Sequence, residues 1–233
     1  MTELLDSRNQ NLWNDIQEKF NISFVDTING NYGCYSQNDS VIFYIDSKHL
    51  CKDSFTHELL HIYLRLKEFY IGAGLKLTIK DSSILSNIMS DKLLEHMGNC
   101  LDHVKMLPIY LEMGFDRKKF IVDYNLYKCT TQELQFLREH YNTGNRINLN
   151  VVDPYIGRIV SIIADPNDQF DYSNDLVELE KIDPYLYQII VKLYDDCKEI
   201  KLEDRSILDD DDHSAVYNFY QNMKTWMSKN MIN

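Results

Sequence analysis

The chain has 233 residues, 44% of them hydrophobic, 26% charged and 12% aromatic, with 8 Gly and 4 Pro. That is enough apolar material for a sizeable core and too few breakers for a loop-dominated or low-complexity chain. A formal net charge of −12 without a basic patch argues against nucleic acid or an anionic membrane surface as partner, because phosphates would be repelled.

Residues 2–20 place Leu4, Leu5, Leu12, Trp13, Ile16 and Phe20 at an imperfect helical period. Three short β-rich runs follow: Ile22 to Val25, Tyr32 to Tyr35, and Val41 to Ile45. Asn and Gly separate the first two, and Gln37-Asn38-Asp39 separates the last two as a hairpin turn. The continuous run Val41-Ile42-Phe43-Tyr44-Ile45 predicts a strand covered on both faces. A helix is predicted from Asp53 or Ser54, either of which can cap it, to about Phe69, ended by Gly72 and Gly74.

Residues 82–113 read as one long helix, or as two broken near Gly98, closed by Gly114. Further helices are predicted near 131–142, 151–164, 175–199 and 214–230. The run Asp209 to Asp212 reads as a solvated loop, since four consecutive Asp lack the alternation of a calcium loop. The predicted fold class is therefore α+β: a small antiparallel sheet packed on one central helix, followed by a mainly helical C-terminal half. Residues 1–130 form the expected catalytic region and 131–233 a helical extension packed on it as one compact unit.

Five scattered cysteines (Cys34, Cys51, Cys100, Cys129, Cys197) suggest neither a disulfide framework nor a thiolate metal site. The N-terminal residues lack the layout of a signal peptide, and no apolar run reaches the ~20 residues of a membrane span. The expected location is the cytoplasm, with no membrane partner.

The chemistry concentrates in His57-Glu58-Leu59-Leu60-His61. Two histidines four apart on a helix differ by about 40° in azimuth, so both imidazoles leave one face. Glu58 is offset by about 100° and stands beside the shared ion instead of ligating it. Two ligands and a general base are thus encoded in five residues. Phe55, Leu59, Ile62, Leu66 and Phe69 form a core-facing stripe, and Leu60 and Leu64 lie on the far side. The remaining polar strip, His57, Glu58, His61, Arg65 and Glu68, must face a cleft. Core histidines satisfied by backbone groups would also give a paired spacing, but the burial of the helix and the preceding hairpin favour a metal site.

The stretch Ser54-Phe55-Thr56-His57-Glu58-Leu59-Leu60-His61 resembles the active helix of the zincin metallopeptidases. The order of hairpin, active helix and second helix over about residues 22–115 is similar to the small regulatory peptidases of the ImmA/IrrE type. The extended metzincin pattern is absent, since Lys67 occupies the position of its third histidine. The resemblance implies a Zn2+ cofactor, a protein or peptide substrate, and hydrolysis with Glu58 as the catalytic base.

A catalytic zinc takes three protein ligands and keeps a fourth position for water. Candidates for the third ligand are Glu95, His96, Asp102 and His103. In a thermolysin-like plan Glu95 would be followed four residues later by a carboxylate, but Asn99 stands there. Taking Leu94, Met97, Leu101, Val104, Pro108 and Leu111 as the core stripe, Glu95 and Asp102 fall opposite it. His96 and His103 share a flank, with Asn99 near them as a possible hydrogen-bonding partner. His103 is the favoured third ligand, with Glu95 and His96 behind it. His140 and His213 receive no role.

An oxyanion donor is not identified by the sequence; Tyr63, Tyr110 and Tyr155 are candidates. The strand at 41–45 is expected to offer its edge to an extended substrate. The rival reading is a non-catalytic zinc-binding interaction protein, in which His96 and His103 both join His57 and His61 to close the site. A third is hydrolysis of a non-peptide bond, because the motif names the nucleophile and not the electrophile.

Overall fold

The computed structural model describes residues 2–144, 146–203 and 211–232. The chain divides into two compact units, one of residues 1–69 with 105–125, the other of 70–104 with 126–233. The expected catalytic region of 1–130 thus takes in the whole first unit together with residues 70–104 and 126–130 of the second. The fold is α+β, with a small sheet near the N-terminus and a helical C-terminal half.

In the first unit, helix α1 (Gln10–Lys19) leads into strands β1 (Asn21–Asp26), β2 (Gly33–Gln37) and β3 (Ser40–Ile45), then helix α2 (Lys52–Leu66). The sheet order is β1-β3-β2. The expected antiparallel hairpin joins β2 to β3, with Asn38 in the left-handed region at φ 51, where Asn is tolerated better than most side chains. β1 instead runs parallel to β3. The β-branched and aromatic run of β3 therefore lies at the centre of the sheet, and its edges are not free. The expectation that 41–45 offers an edge is corrected: the edges belong to β1 and β2.

β3 is also covered on one face and not two. Val41 and Phe43 are fully buried while Ile42 and Tyr44 are partly exposed, the alternation of a strand with one wet side. On the dry side Phe43 meets Phe55 at 5.3 Å and Phe24 at 5.9 Å between ring centroids, with Trp13 at 6.4 Å. This aromatic cluster seats α2 on the sheet; truncating one such buried ring would cost about 3–5 kcal/mol. The buried Asn9 side chain ties α1's start to α2 by donating to Thr56 Oγ1 at 2.8 Å.

α2 begins at Lys52 with Cys51 at its cap, so Asp53 and Ser54 lie in the first turn instead of capping it. It ends before Phe69: the amide of Glu68 (φ 56) donates to Arg65 and that of Phe69 to Leu64. That pair of bonds closes a helix through one left-handed residue, usually glycine and here a glutamate.

The second unit starts with α3 (Ile71–Lys80), a helix where the glycines had predicted only a terminus, followed by α4 (Leu85–Ile88). Gly72 serves a different purpose from a cap. A Cβ there would stand 2.8 Å from Gly98 Cα, so the two backbones touch. Gly98 accordingly lies inside a continuous helix, α5 (Asp91–Glu112), which carries Pro108 and passes into the first unit at Lys105.

The remaining elements are α6 (Thr131–His140), the small hairpin β4 (Asn142–Thr143) and β5 (Arg146–Ile147), α7 (Leu149–Ile163), α8 (Ser173–Ile182), α9 (Pro184–Glu199) and α10 (Asp211–Lys229). The single helix expected over 175–199 is two, divided at Asp183. That residue caps α9 by accepting from the Leu186 amide at 2.9 Å, and Pro184 occupies the first helical position, where its missing N–H costs nothing. The same carboxylate accepts from Tyr141 Oη at 2.7 Å and Trp226 Nε1 at 2.8 Å, so α6's end, α9 and α10 meet on one buried acid. Of the acidic run, Asp209 and Asp210 lie outside the described residues, whereas Asp211 and Asp212 open α10 instead of a loop. Among the described residues no helix is long and apolar enough to cross a membrane.

Candidate metal centre

α2 is buried around most of its circumference: Phe55, Leu59, Leu60 and Leu64 are fully buried and Ile62 nearly so. Its polar strip retains contact with solvent, and His57 and His61 stand on it one turn apart, both partly buried. Their Nε2 atoms face each other at 3.3 Å. Two nitrogens at that separation, each about 2.05 Å from a common point, subtend about 107° there, close to the tetrahedral angle that zinc favours. The separation is also what a ring-to-ring hydrogen bond would give, so the third residue carries the distinction.

That residue is His103. One ring nitrogen from each of His57, His61 and His103 lies within 4.8 Å of the others, with His103 buried. This is a group that can hold a metal ion. Of the alternatives, Glu95 pairs with Lys76 at 2.9 Å and is mostly exposed, and His96 Nε2 lies 3.0 Å from Ser161 Oγ, which itself donates to the Gly157 carbonyl. Asp102, opposite the expected stripe, is buried beside His103 in sequence but is not a member of the group. Asn99, expected near His103, is exposed.

The electrostatics suit a cation. Burial, helped by the neighbouring His61, pushes the His57 imidazole down to about 3, against a hydrogen bond to the Phe120 backbone that acts the other way. His57 is therefore neutral at pH 7 with a lone pair to offer, the form a metal requires. Burial also raises the carboxyl of Glu58 above its usual range, opposed by His61 and by a hydrogen bond from the Cys34 thiol of β2. A carboxyl raised in this way is a stronger base than a surface glutamate once it is ionised.

Two contributors were not foreseen from the sequence. Cys34 sits on the inward face of the β2 edge opposite Phe43, and nothing local distinguishes it from the other cysteines. Phe120 packs its ring on His57 with centroids 4.8 Å apart, from a segment that follows α5. Of the proposed oxyanion donors, Tyr155 is committed elsewhere: its hydroxyl donates to the Leu179 and Asp183 carbonyls at 2.8 and 3.1 Å. Tyr110 directs its hydroxyl to Asp53 Oδ1 at 3.4 Å, and burial, then Asp53, holds that phenol protonated far above its usual range. The Tyr63 ring lies under Lys67 Nζ, 5.3 Å from its centroid.

Comparison with protein-family models, with curated proteins and with solved structures finds no match for this chain. The class the fold and site define is that of an α+β protein with a three-histidine group able to bind a metal ion. Its particular chemistry has to be argued from the residues themselves.

Proposed function

We propose that the chain is a zinc-dependent peptidase of the zincin type, with His57, His61 and His103 as ligands and Glu58 as general base. The observation that carries the reading is the grouping of His103, from α5, with His57 and His61 of α2, one ring nitrogen of each within 4.8 Å of the others. A set of three imidazoles suits zinc, and three protein ligands match a site with a position left for water.

His57, His61 and His103 would hold the zinc, which would supply Lewis acidity, lowering the pKa of water toward ~7 and polarising a scissile carbonyl. Glu58 lies next to His57 in sequence, offset around the helix so that its carboxylate is available as a base and not spent as a ligand. It takes the proton of the attacking water and delivers it to the departing amine. His57 keeps its lone pair because burial resists protonation, and the aromatic seat of α2 on the sheet holds the ligand spacing rigid.

The rival reading of a closed, non-catalytic zinc site needs a fourth protein ligand, for which His96 was the candidate. Its engagement with Ser161 weighs against that reading. The substrate class favoured is a peptide or protein, given the resemblance of the active helix to that of the zincins.

The test compares zinc-loaded wild type with Glu58→Gln on a quenched-fluorescent peptide library. Wild type is expected to cleave members of the library, and the variant to retain one zinc while losing cleavage by at least about 10²-fold. Undiminished cleavage by the variant would remove Glu58 from the mechanism.

A further inference from the structure

Asp53, His57 and His61 follow one another at i, i+4 and i+8 on α2, so they share a face. One turn below the ligand pair, Asp53 holds two groups from the far end of the first unit. Its Oδ2 pairs with Lys119 Nζ at 3.3 Å and its Oδ1 accepts from Tyr110 Oη at 3.4 Å.

Both partners lead to Phe120. Lys119 is its neighbour in a short 3-10 turn, Arg117–Lys119, capped by Asp116 and closed by the Phe120 amide on the Arg117 carbonyl at 3.1 Å. The Tyr110 ring meets the Phe120 ring edge-on at 5.1 Å. Phe120 is buried and packs its ring on the imidazole of His57, centroids 4.8 Å apart. A metal-binding histidine needs its ring rotation fixed and its non-ligating nitrogen bonded, commonly by a carbonyl or carboxylate.

We propose that Asp53, Lys119 and Tyr110 are positioning residues that clamp Phe120 onto His57 and so set that imidazole for the metal. The inference rests on the metal-site reading above and adds a device to it. A helix residue one turn before the first ligand reaches around to fasten the group that orients that ligand. The Asp53–Lys119 pair lies near the surface, with Lys119 more than half exposed, and such pairs add little to folding stability. Its effect should therefore register in metal affinity and not in the unfolding temperature of the metal-free protein.

The experiment measures Zn2+ affinity by competition with a chromophoric chelator, and the unfolding temperature of the metal-free chain, for wild type, Lys119→Ala, Lys119→Arg, Asp53→Asn, Tyr110→Phe and His57→Ala. Lys119→Ala and Asp53→Asn are expected to bind zinc about tenfold more weakly or worse, with the metal-free unfolding temperature of Lys119→Ala unchanged. Lys119→Arg is expected to restore most of the affinity, and Tyr110→Phe to give a smaller loss. Affinities of Lys119→Ala and Asp53→Asn within twofold of wild type, alongside lost binding in His57→Ala, would overturn the clamp and leave the metal site standing. A wild-type chain that takes up no zinc would overturn both.

Discussion

His61 Nε2 stands 3.3 Å from His57 Nε2, the two rings rising from successive turns of a helix that is otherwise packed in apolar side chains. Burial, helped by His61, keeps the His57 ring neutral down to about 3, so a cation arriving there meets an imidazole that need not first lose a proton.

Zinc should therefore stabilise the fold measurably. A ligand at about a hundred times its Kd adds roughly 2.7 kcal/mol, which for a chain of this size is a rise of roughly 5–10 °C in unfolding temperature. Scanning calorimetry with zinc and with a chelator reads it. His103→Ala is expected to lose most of the rise, because one of three ligands is gone; a rise undiminished in that variant would exclude His103 from the site.

Gly72 and Gly74 are expected to behave oppositely when changed to alanine. A Cβ on Gly72 lands 2.8 Å from Gly98 Cα, on backbone that can yield only if two helices part. The expected loss is about 1–3 kcal/mol. A Cβ on Gly74 meets Val216 Cγ2 at an ordinary 3.7 Å, and alanine favours the helix by up to about 1 kcal/mol. Chemical denaturation of the two variants should place them on either side of wild type.

Asp46 makes part of the stability acid-labile. Its buried carboxylate accepts from the amides of Gly30 (2.7 Å) and Lys48 (2.9 Å) and from the His49 ring (2.8 Å). The Gly30 amide first, then His49, holds it down from the usual 3.8 to about 2. A carboxyl depressed by folding stabilises fully above its unfolded pKa and loses that contribution as pH falls through the folded one. The loss is expected between about pH 4 and pH 2. Denaturation of metal-free wild type and Asp46→Asn across that window tests it: the variant should be weaker at pH 6 and should fall less steeply on acidification.

Helix α2, with its paired histidines, was legible because its signals are local: a motif of five residues, a regular apolar stripe and the hairpin before it. Azimuth put His96 and His103 on one flank of α5 without choosing between them, and of the two only His103 falls in the three-histidine group. The assumed core stripe is only partly buried, since Pro108 is exposed while Asp102, placed opposite it, is buried. Other features resisted for physical reasons. The parallel pairing of β1 with β3 is decided by the path of the chain between strands, which leaves no mark on either run. Gly72 and Gly74 look like helix terminators unless the Gly72–Gly98 approach is known, because a small residue at a backbone contact and one at a cap are the same letter. The Asp53–Lys119 contact joins residues 66 apart in sequence, beyond any periodicity. Asp183-Pro184, in contrast, is a helix start that could have been read outright.

The shared carboxylate of Asp183 makes the last described helix, α10, part of the interior. A chain cut before Asp211 would strip the Trp226 indole from that acid and leave it only the phenol of Tyr141 and the amide of Leu186, in a space formerly sealed by a large ring. Deleting α10 would thus injure the end of α6 and the start of α9 far upstream, and attempts to trim the protein for crystallisation or display should begin elsewhere.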